Sequence, residues 1–248
     1  MSNIKAEAEI VKIRKACRAA AEVLSELKKL VRVGITTKEI EGHADDLFKK
    51  NGWIPAFKGY RGYKYSTCLS VNEEVVHGLP SGRVLREGDI IGIDVGAIVD
   101  GYYGDTAETV QVGKVSATAK KLLSTTRNAL FKGISQARDG MHLGDLSSAI
   151  EAEARSNGFS VVRDLYGHGV GKSLHEDPLI PNFGQKGTGI VLKAGMTLAI
   201  EPMLNVGGSG IKTLDDGWTI VTADGSLSAH FEHTILVTKG APEILSKR

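Results

Sequence analysis

The chain has 248 residues, 42% of them apolar, enough to bury one substantial core as one large domain or two small halves. Lys and Arg number 31 against 29 Asp and Glu, so the net charge of +2 leaves no electrostatic footprint for nucleic acid or an anionic membrane. The two cysteines, Cys17 and Cys68, form no CxxC pair, which argues against a disulfide framework or zinc knuckle and for a reducing, cytosolic compartment.

The opening residues MSNIKAEAEIVKIRK interrupt every apolar run with charge, unlike a secretion signal, and no later segment reaches membrane-spanning length. Ile10, Ile13, Cys17, Ala20, Leu24, Leu27 and Leu30 recur at three- and four-residue steps, which predicts a first helix with one buried face. A second helix is expected to start at Thr36, whose spacing to Glu39 is that of a capping box, and to stop at Asn51-Gly52. Between roughly 65 and 112, β-branched runs broken by turn residues favour antiparallel strands. Helices are expected again near 117–138 and 144–157, with strands to the end.

That order repeats, and so do residues. GITTKEIEGHADDLFKKNGW (34–53) aligns with GMHLGDLSSAIEAEARSNGF (140–159), and LREGDIIGID (85–94) with LKAGMTLAIE (192–201), placing Asp94 opposite Glu201. Asp105 and Glu232 each lie eight residues before a glycine, at VQVG and VTKG, and HGLP (77–80) echoes HEDP (175–178). The reading is one domain, 1–248, of two related halves, approximately 1–113 and 114–248. A pseudo-twofold then brings two carboxylates and one flanking histidine from each half to a common centre.

The stretch GIDVGAIVDGYYGDTAE (92–108) shows why acids sit in apolar strands. With Asp100-Gly101 as a two-residue hairpin turn, Asp105 faces Gly96, which shares a strand face with Asp94. The two aspartates are then diagonal neighbours, and a cation between them relieves their repulsion. Glu201 and Glu232 lie in similarly apolar strands, and His168 stands between glycines in YGHGVG. Four carboxylates and one imidazole suit two divalent ions such as Mn, Fe or Co, with Zn also admissible. His77 and His175 exceed what two ions need, so they are read as substrate contacts: a donor to the carbonyl oxygen and a partner for the leaving nitrogen.

The ordered set HGLP, IDVGAIVDGYYGDTAE, GHGVGKSLHEDP, AIEP and FEHT closely resembles type I methionine aminopeptidases across nearly the whole chain. The resemblance implies an α/β (α+β) "pita-bread" fold, a pseudo-twofold repeat of helices flanking a curved antiparallel sheet. It implies a metal-dependent enzyme that removes the N-terminal methionine from new polypeptides when the second residue is small. Its metal ligands fall on Asp94, Asp105, His168, Glu201 and Glu232, with Asp105 and Glu232 bridging and Glu201 also moving the reaction's proton. His77 and His175 contact substrate, and Tyr60, Tyr63, Cys68 and Trp218 line the methionine pocket. Some family members bind a monovalent cation through main-chain carbonyls, here those of Asn72, Glu74 and Ser228.

Two positions depart from the family's pattern: Phe57 stands where bacterial members often have cysteine, and Leu174 where an aromatic is common, so the pocket rim is expected to be reshaped. Alternative readings are a proline-directed peptidase of the same fold and a non-catalytic peptide-binding relative. The expected partners are nascent N-termini, with work near the ribosome, and the chain is expected to be a monomer.

Overall fold

The computed structural model describes residues 4–247. The first helix, α1 (Glu7–Leu30), buries every residue of the anticipated stripe except Leu30, which is half-buried. The second, α2 (Thr37–Asn51), has the expected cap: the Thr36 hydroxyl accepts from the Glu39 N–H at 3.2 Å, and the Glu39 carboxylate accepts from the Thr36 N–H at 2.8 Å. Gly52, at φ 68°, ends it in the left-handed conformation that glycine adopts without strain. Helices α3 (Ala117–Gln136) and α4 (Leu143–Ser156) lie near the expected ranges 117–138 and 144–157.

Among the described residues one sheet has eleven strands. The strands that build the site are β1 (Thr67–Val71), β2 (Ile90–Val99), β3 (Tyr102–Gln111), β4 (Tyr166–Gly169), β5 (Glu176–Pro181), β6 (Thr197–Ile200), β7 (Met203–Asn205) and β8 (Ser228–Leu236). Their order across the sheet is β2-β3-β8-β6-β4-β5, all antiparallel, with β1 on β2 and β7 on β8. The pairing of β3 with β8 joins the two halves of the chain.

Alternation in β2 decides what each face does. Ile91, Ile93, Val95 and Ala97 pack into a core with α1 and α2, which sends Asp94 and Gly96 to the other face. In the second half Leu198, Ile200, Phe231 and Ile235 pack with α3 and α4, leaving His230 and Glu232 on the face shared with Asp94. Both helical layers therefore cover one side of the sheet, and the acids line the other.

The repeat is written in hydrogen bonds. The Gly34 N–H donates to the Leu85 carbonyl and the Leu85 N–H returns to Ile35; the Gly140 N–H donates to Leu192, and Leu192 returns to Met141. Gly34 and Gly140 sit at φ 90° and 86°, so glycine is needed at both. One sequence match is corrected by the register. Asp94 pairs with Ala107, while Glu201 stands opposite Glu232, one step beyond the last pair, Ile200 with His233. With Asp94 matched to Glu201, the mate of Glu232 is therefore Ala107, not Asp105. Gly96 pairs with Asp105 and Met203 with His230, so the mate of Asp105 is His230.

Candidate active site

The β2–β3 hairpin turns through Asp100 and Gly101, both at positive φ, and sets Gly96 opposite Asp105 as the spacing demands. Asp94, Ala107 and Glu232 form one row across three strands, and Asp105 lies two residues from Ala107 on the same face. His168 pairs with Ala199 on β6. Its flanking glycines serve a close backbone approach: a Cβ at Gly167 would sit 2.4 Å from the Ala199 carbonyl oxygen, and one at Gly169 2.2 Å from that of Asp177.

One cavity of about 200 Å³ is lined by all eleven residues anticipated from the sequence: the five candidate ligands, His77, His175, Tyr60, Tyr63, Cys68 and Trp218. Ligand atoms of Asp105, His168 and Glu232 lie within 4.8 Å of one another. The His168 Nδ1–H donates to the Gly169 carbonyl at 2.9 Å, which leaves Nε2 with its lone pair. That lone pair faces Glu201 Oε1 at 3.5 Å, acceptor against acceptor. Asp94 Oδ1 and Glu232 Oε1 are buried with no hydrogen-bond partner. Lone pairs on Asp94 Oδ1, Glu232 Oε1 and His168 Nε2 that meet no donor are what a cation satisfies, so these residues fit divalent metal ions.

Electrostatics agree. Burial pushes the Asp94, Asp105 and Glu232 carboxyls well above the usual carboxylate range, and the carboxylates beside each add to the shift. Burial also opposes ionisation of Glu201, but His230 and His168 outweigh it and hold that carboxyl below its ordinary value. Burial and the neighbouring His168 lower His175 to about 4, and burial lowers His77, so both rings are neutral at pH 7. His77 is held at φ 59°, a costly conformation for a non-glycine residue, by neighbours that bond Gly78 on both sides: Ser70 Oγ accepts its N–H and Leu69 donates to its carbonyl.

The rest of the cavity is mostly aromatic and aliphatic, with Arg61 the one charged side chain added to it. Tyr63 meets Trp218 edge-on at 5.0 Å between ring centres, and its hydroxyl donates to the Thr67 carbonyl at 2.9 Å. Tyr60 Oη lies 2.8 Å from His175 Nδ1, and the His175 ring centre lies 4.3 Å from that of His168. Phe57 and Leu174 belong to the same cluster, and Phe57 requires glycine at 96, where a Cβ would stand 2.7 Å from its ring. Burial also lifts the Cys68 thiol well above its usual range, ahead of the effect of Asp94, so it serves as a wall rather than a nucleophile. Arg61, at φ 49°, lines the cavity beside Tyr60, and His230 lies 3.4 Å from Glu201; sequence reasoning singled out neither. Asn72 and Ser228 do meet, the Ser228 N–H donating to the Asn72 carbonyl at 2.9 Å.

Comparison with known proteins places this arrangement. The model of metallopeptidase family M24 matches residues 11–239. Methionine aminopeptidase 1 of Bacillus subtilis is 50% identical over 98% of each chain, and the Escherichia coli methionine aminopeptidase is 41% identical over 99% of this chain and 94% of its own. The crystal structure of a methionine aminopeptidase from Thermotoga maritima superposes with a TM-score of 0.98 at 52% identity, covering both chains completely. A prolidase from Pyrococcus furiosus gives 0.81 at 25% identity, covering 99% of this chain but 65% of the prolidase. The helices and antiparallel sheet are thus the pita-bread architecture, and the chain belongs to metallopeptidase family M24.

Proposed function

We infer that the chain is a methionyl aminopeptidase that removes the N-terminal methionine of newly made polypeptides whose second residue is small. The full-length identity to methionine aminopeptidases supports the activity. The observation that carries the finer reading is that one cavity joins a convergent set of unpartnered carboxylate and imidazole atoms to an apolar chamber.

In this reading Asp94, Asp105, His168, Glu201 and Glu232 would hold two divalent ions, Mn, Fe or Co before Zn. Bound there, the ions supply Lewis-acid polarisation of the scissile carbonyl and a water acidic enough to react near neutral pH. Glu201 would be the proton carrier, its carboxylate accepting the proton of the attacking water and returning it to the departing amine. Tyr60 Oη and His175 Nδ1 share a hydrogen bond at 2.8 Å, and the reading takes the hydroxyl as its donor, so that the neutral ring carries its hydrogen on Nε2 and offers it to substrate. His77 provides the second neutral imidazole, and between them the two contact the carbonyl oxygen and the leaving nitrogen.

Tyr60, Tyr63, Cys68 and Trp218, with Phe57 and Leu174 at the rim, take the methionine side chain, whose flexible thioether suits an irregular apolar chamber. The scissile bond must reach recessed ligands, which favours a small second residue. A monovalent cation at the carbonyls of Asn72, Glu74 and Ser228 completes the cofactor set. The chain works as one domain over 1–248, its halves meeting near 113, as a cytoplasmic monomer close to where new chains emerge.

Metal analysis after dialysis, combined with methionine release from Met-Ala and Met-Gly peptides, tests this reading. Tight metal and release from both peptides support it; activity confined to X-Pro peptides would instead assign the proline-directed chemistry of the prolidase relatives. A folded, metal-free and inactive chain would make it a peptide-binding member.

A further inference from the structure

The second half of the chain holds a histidine where the first half holds Asp105. Asp105 pairs with Gly96, two residues past Asp94, and His230 pairs with Met203, two residues past Glu201. Their backbones are also held alike. The Thr234 hydroxyl accepts the Asp105 N–H at 3.3 Å and donates to its carbonyl at 2.8 Å; the Thr109 hydroxyl accepts the His230 N–H at 2.9 Å and donates to its carbonyl at 2.8 Å. Position 230 is therefore as firmly built as a ligand position, yet it carries an imidazole.

His230 is 4% exposed, and its Nε2 has no hydrogen-bond partner. That nitrogen lies 3.4 Å from Glu201 Oε2, while Glu201 Oε1 lies 3.5 Å from His168 Nε2. One carboxylate is thus flanked by two imidazoles, one on each oxygen. The His168 ring is committed by its Nδ1–H bond and offers Glu201 no donor. His230 is free to supply one.

We propose that His230 is a positioning residue for Glu201, its Nε2–H donating to Oε2 so that Oε1 is turned toward His168 and the ligand cluster. A carboxylate without such a donor rotates between two equivalent presentations, and a base that must accept and return a proton loses rate when its direction is lost. The proposal rests on the reading of Glu201 as ligand and proton carrier.

The test compares His230→Gln, whose amide nitrogen falls near the place of Nε2, with His230→Asn, whose amide falls near that of Nδ1. On Met-Ala peptides the Asn variant should lose kcat by about 10- to 100-fold, as expected for one hydrogen bond to a charged group, with KM changing far less. The Gln variant should recover most of that loss. The visible absorption of the Co(II)-loaded proteins should shift in the Asn variant and match the native spectrum in the Gln variant. If the Asn variant does not fold, His230→Met, which keeps bulk without a donor, takes its place. Native kcat and spectrum in the donor-free variant, or equal impairment of Gln and Asn, would overturn the assignment of His230 alone. A native chain that folds but takes up no Co(II) would bring down the metal-centre reading and this proposal with it.

Discussion

The hydroxyl of Thr234 takes over both backbone hydrogen bonds of Asp105, at the point where β3 and β8 cease to pair main chain to main chain. That end of the seam matters because Asp105 reaches it from one half of the chain and Glu232 from the other. Thr234→Val keeps the shape but leaves a buried N–H and carbonyl unpaired, at about 1–3 kcal/mol for each. Thr234→Ser retains the hydroxyl and should stay near native stability. Urea unfolding of the two variants checks this, and a valine variant as stable as the native chain would refute it.

Helix α1 packs so closely on the β2–β3 hairpin that Gly104 has no room for a side chain. A Cβ there would stand 2.2 Å from the Cys17 nitrogen and 2.5 Å from the Ala16 carbonyl carbon, both backbone atoms that cannot swing aside. Gly104→Ala should cost at least the upper end of the overpacking range, about 3 kcal/mol. Gly42 is the opposite case, an exposed glycine inside α2 with nothing within 4 Å of a built Cβ. Gly42→Ala should raise stability by about 0.5–1 kcal/mol, and thermal melts that rank the two variants otherwise would contradict the packing argument.

Local signals carried much of this into view. Thr36, Glu39 and Gly52 marked the ends of α2 because capping and left-handed stops depend on nearby residues, and the Asp100-Gly101 turn fixed the face of Asp94 and Asp105 by counting. The counting failed where it relied on glycines outside the ladder: distance to Gly113 and Gly240 matched Asp105 with Glu232, whereas strand pairing matches Asp105 with His230. Strand register is set by partners far away in the chain, which a single segment does not display. His230 was nonetheless within reach, because it lies two residues before Glu232 and alternation puts both on one face. Arg61 gave no such signal, since its place in the cavity comes from an irregular turn at φ 49°.

Asp224, which is not among the residues lining the cavity, ties two loops together. Its carboxylate accepts from the Gly208 N–H at 2.8 Å and the Ser226 N–H at 3.0 Å, and bonds from the Ser226 side chain, Gly208 and Ser226 hold the carboxyl down to about 2. A carboxyl depressed from 3.8 stabilises the fold at pH values above 3.8 and loses that contribution as pH falls toward about 2. Carboxyl-carbon NMR should show Asp224 titrating near 2, with the Gly208 amide exchanging faster once it protonates. Titration at an ordinary aspartate value would show that the tie is not held in solution.

Asp94 Oδ1 and Glu232 Oε1 are buried without partners, so the chain should be more stable with dications than without. At a hundredfold excess over the dissociation constant, the gain from a single site is about 2.7 kcal/mol. Melting temperature should climb with Mn or Co and fall back on adding a chelator. A transition indifferent to both would show that those oxygens are satisfied in some other way.

Phe57 and Leu174 share one apolar cluster, 8% and 2% exposed, at the wall of a cavity of only about 200 Å³. A large residue at 57 therefore requires a smaller one at 174, and the two positions should respond as a pair rather than singly. Leu174→Phe adds ring atoms to a closed wall, so KM for methionyl peptides should rise about five- to tenfold, with a smaller change in kcat. Phe57→Cys removes ring volume from that cluster and should loosen the preference for methionine over norleucine and leucine. Combining the two exchanges large for small within one cluster, and the double variant should return toward the native KM, a departure from additivity that residues coupled through a shared cavity show. Steady-state kinetics on the four proteins measures that coupling directly. Additive effects, or an unchanged KM in Leu174→Phe, would mean that the rim does not shape the pocket.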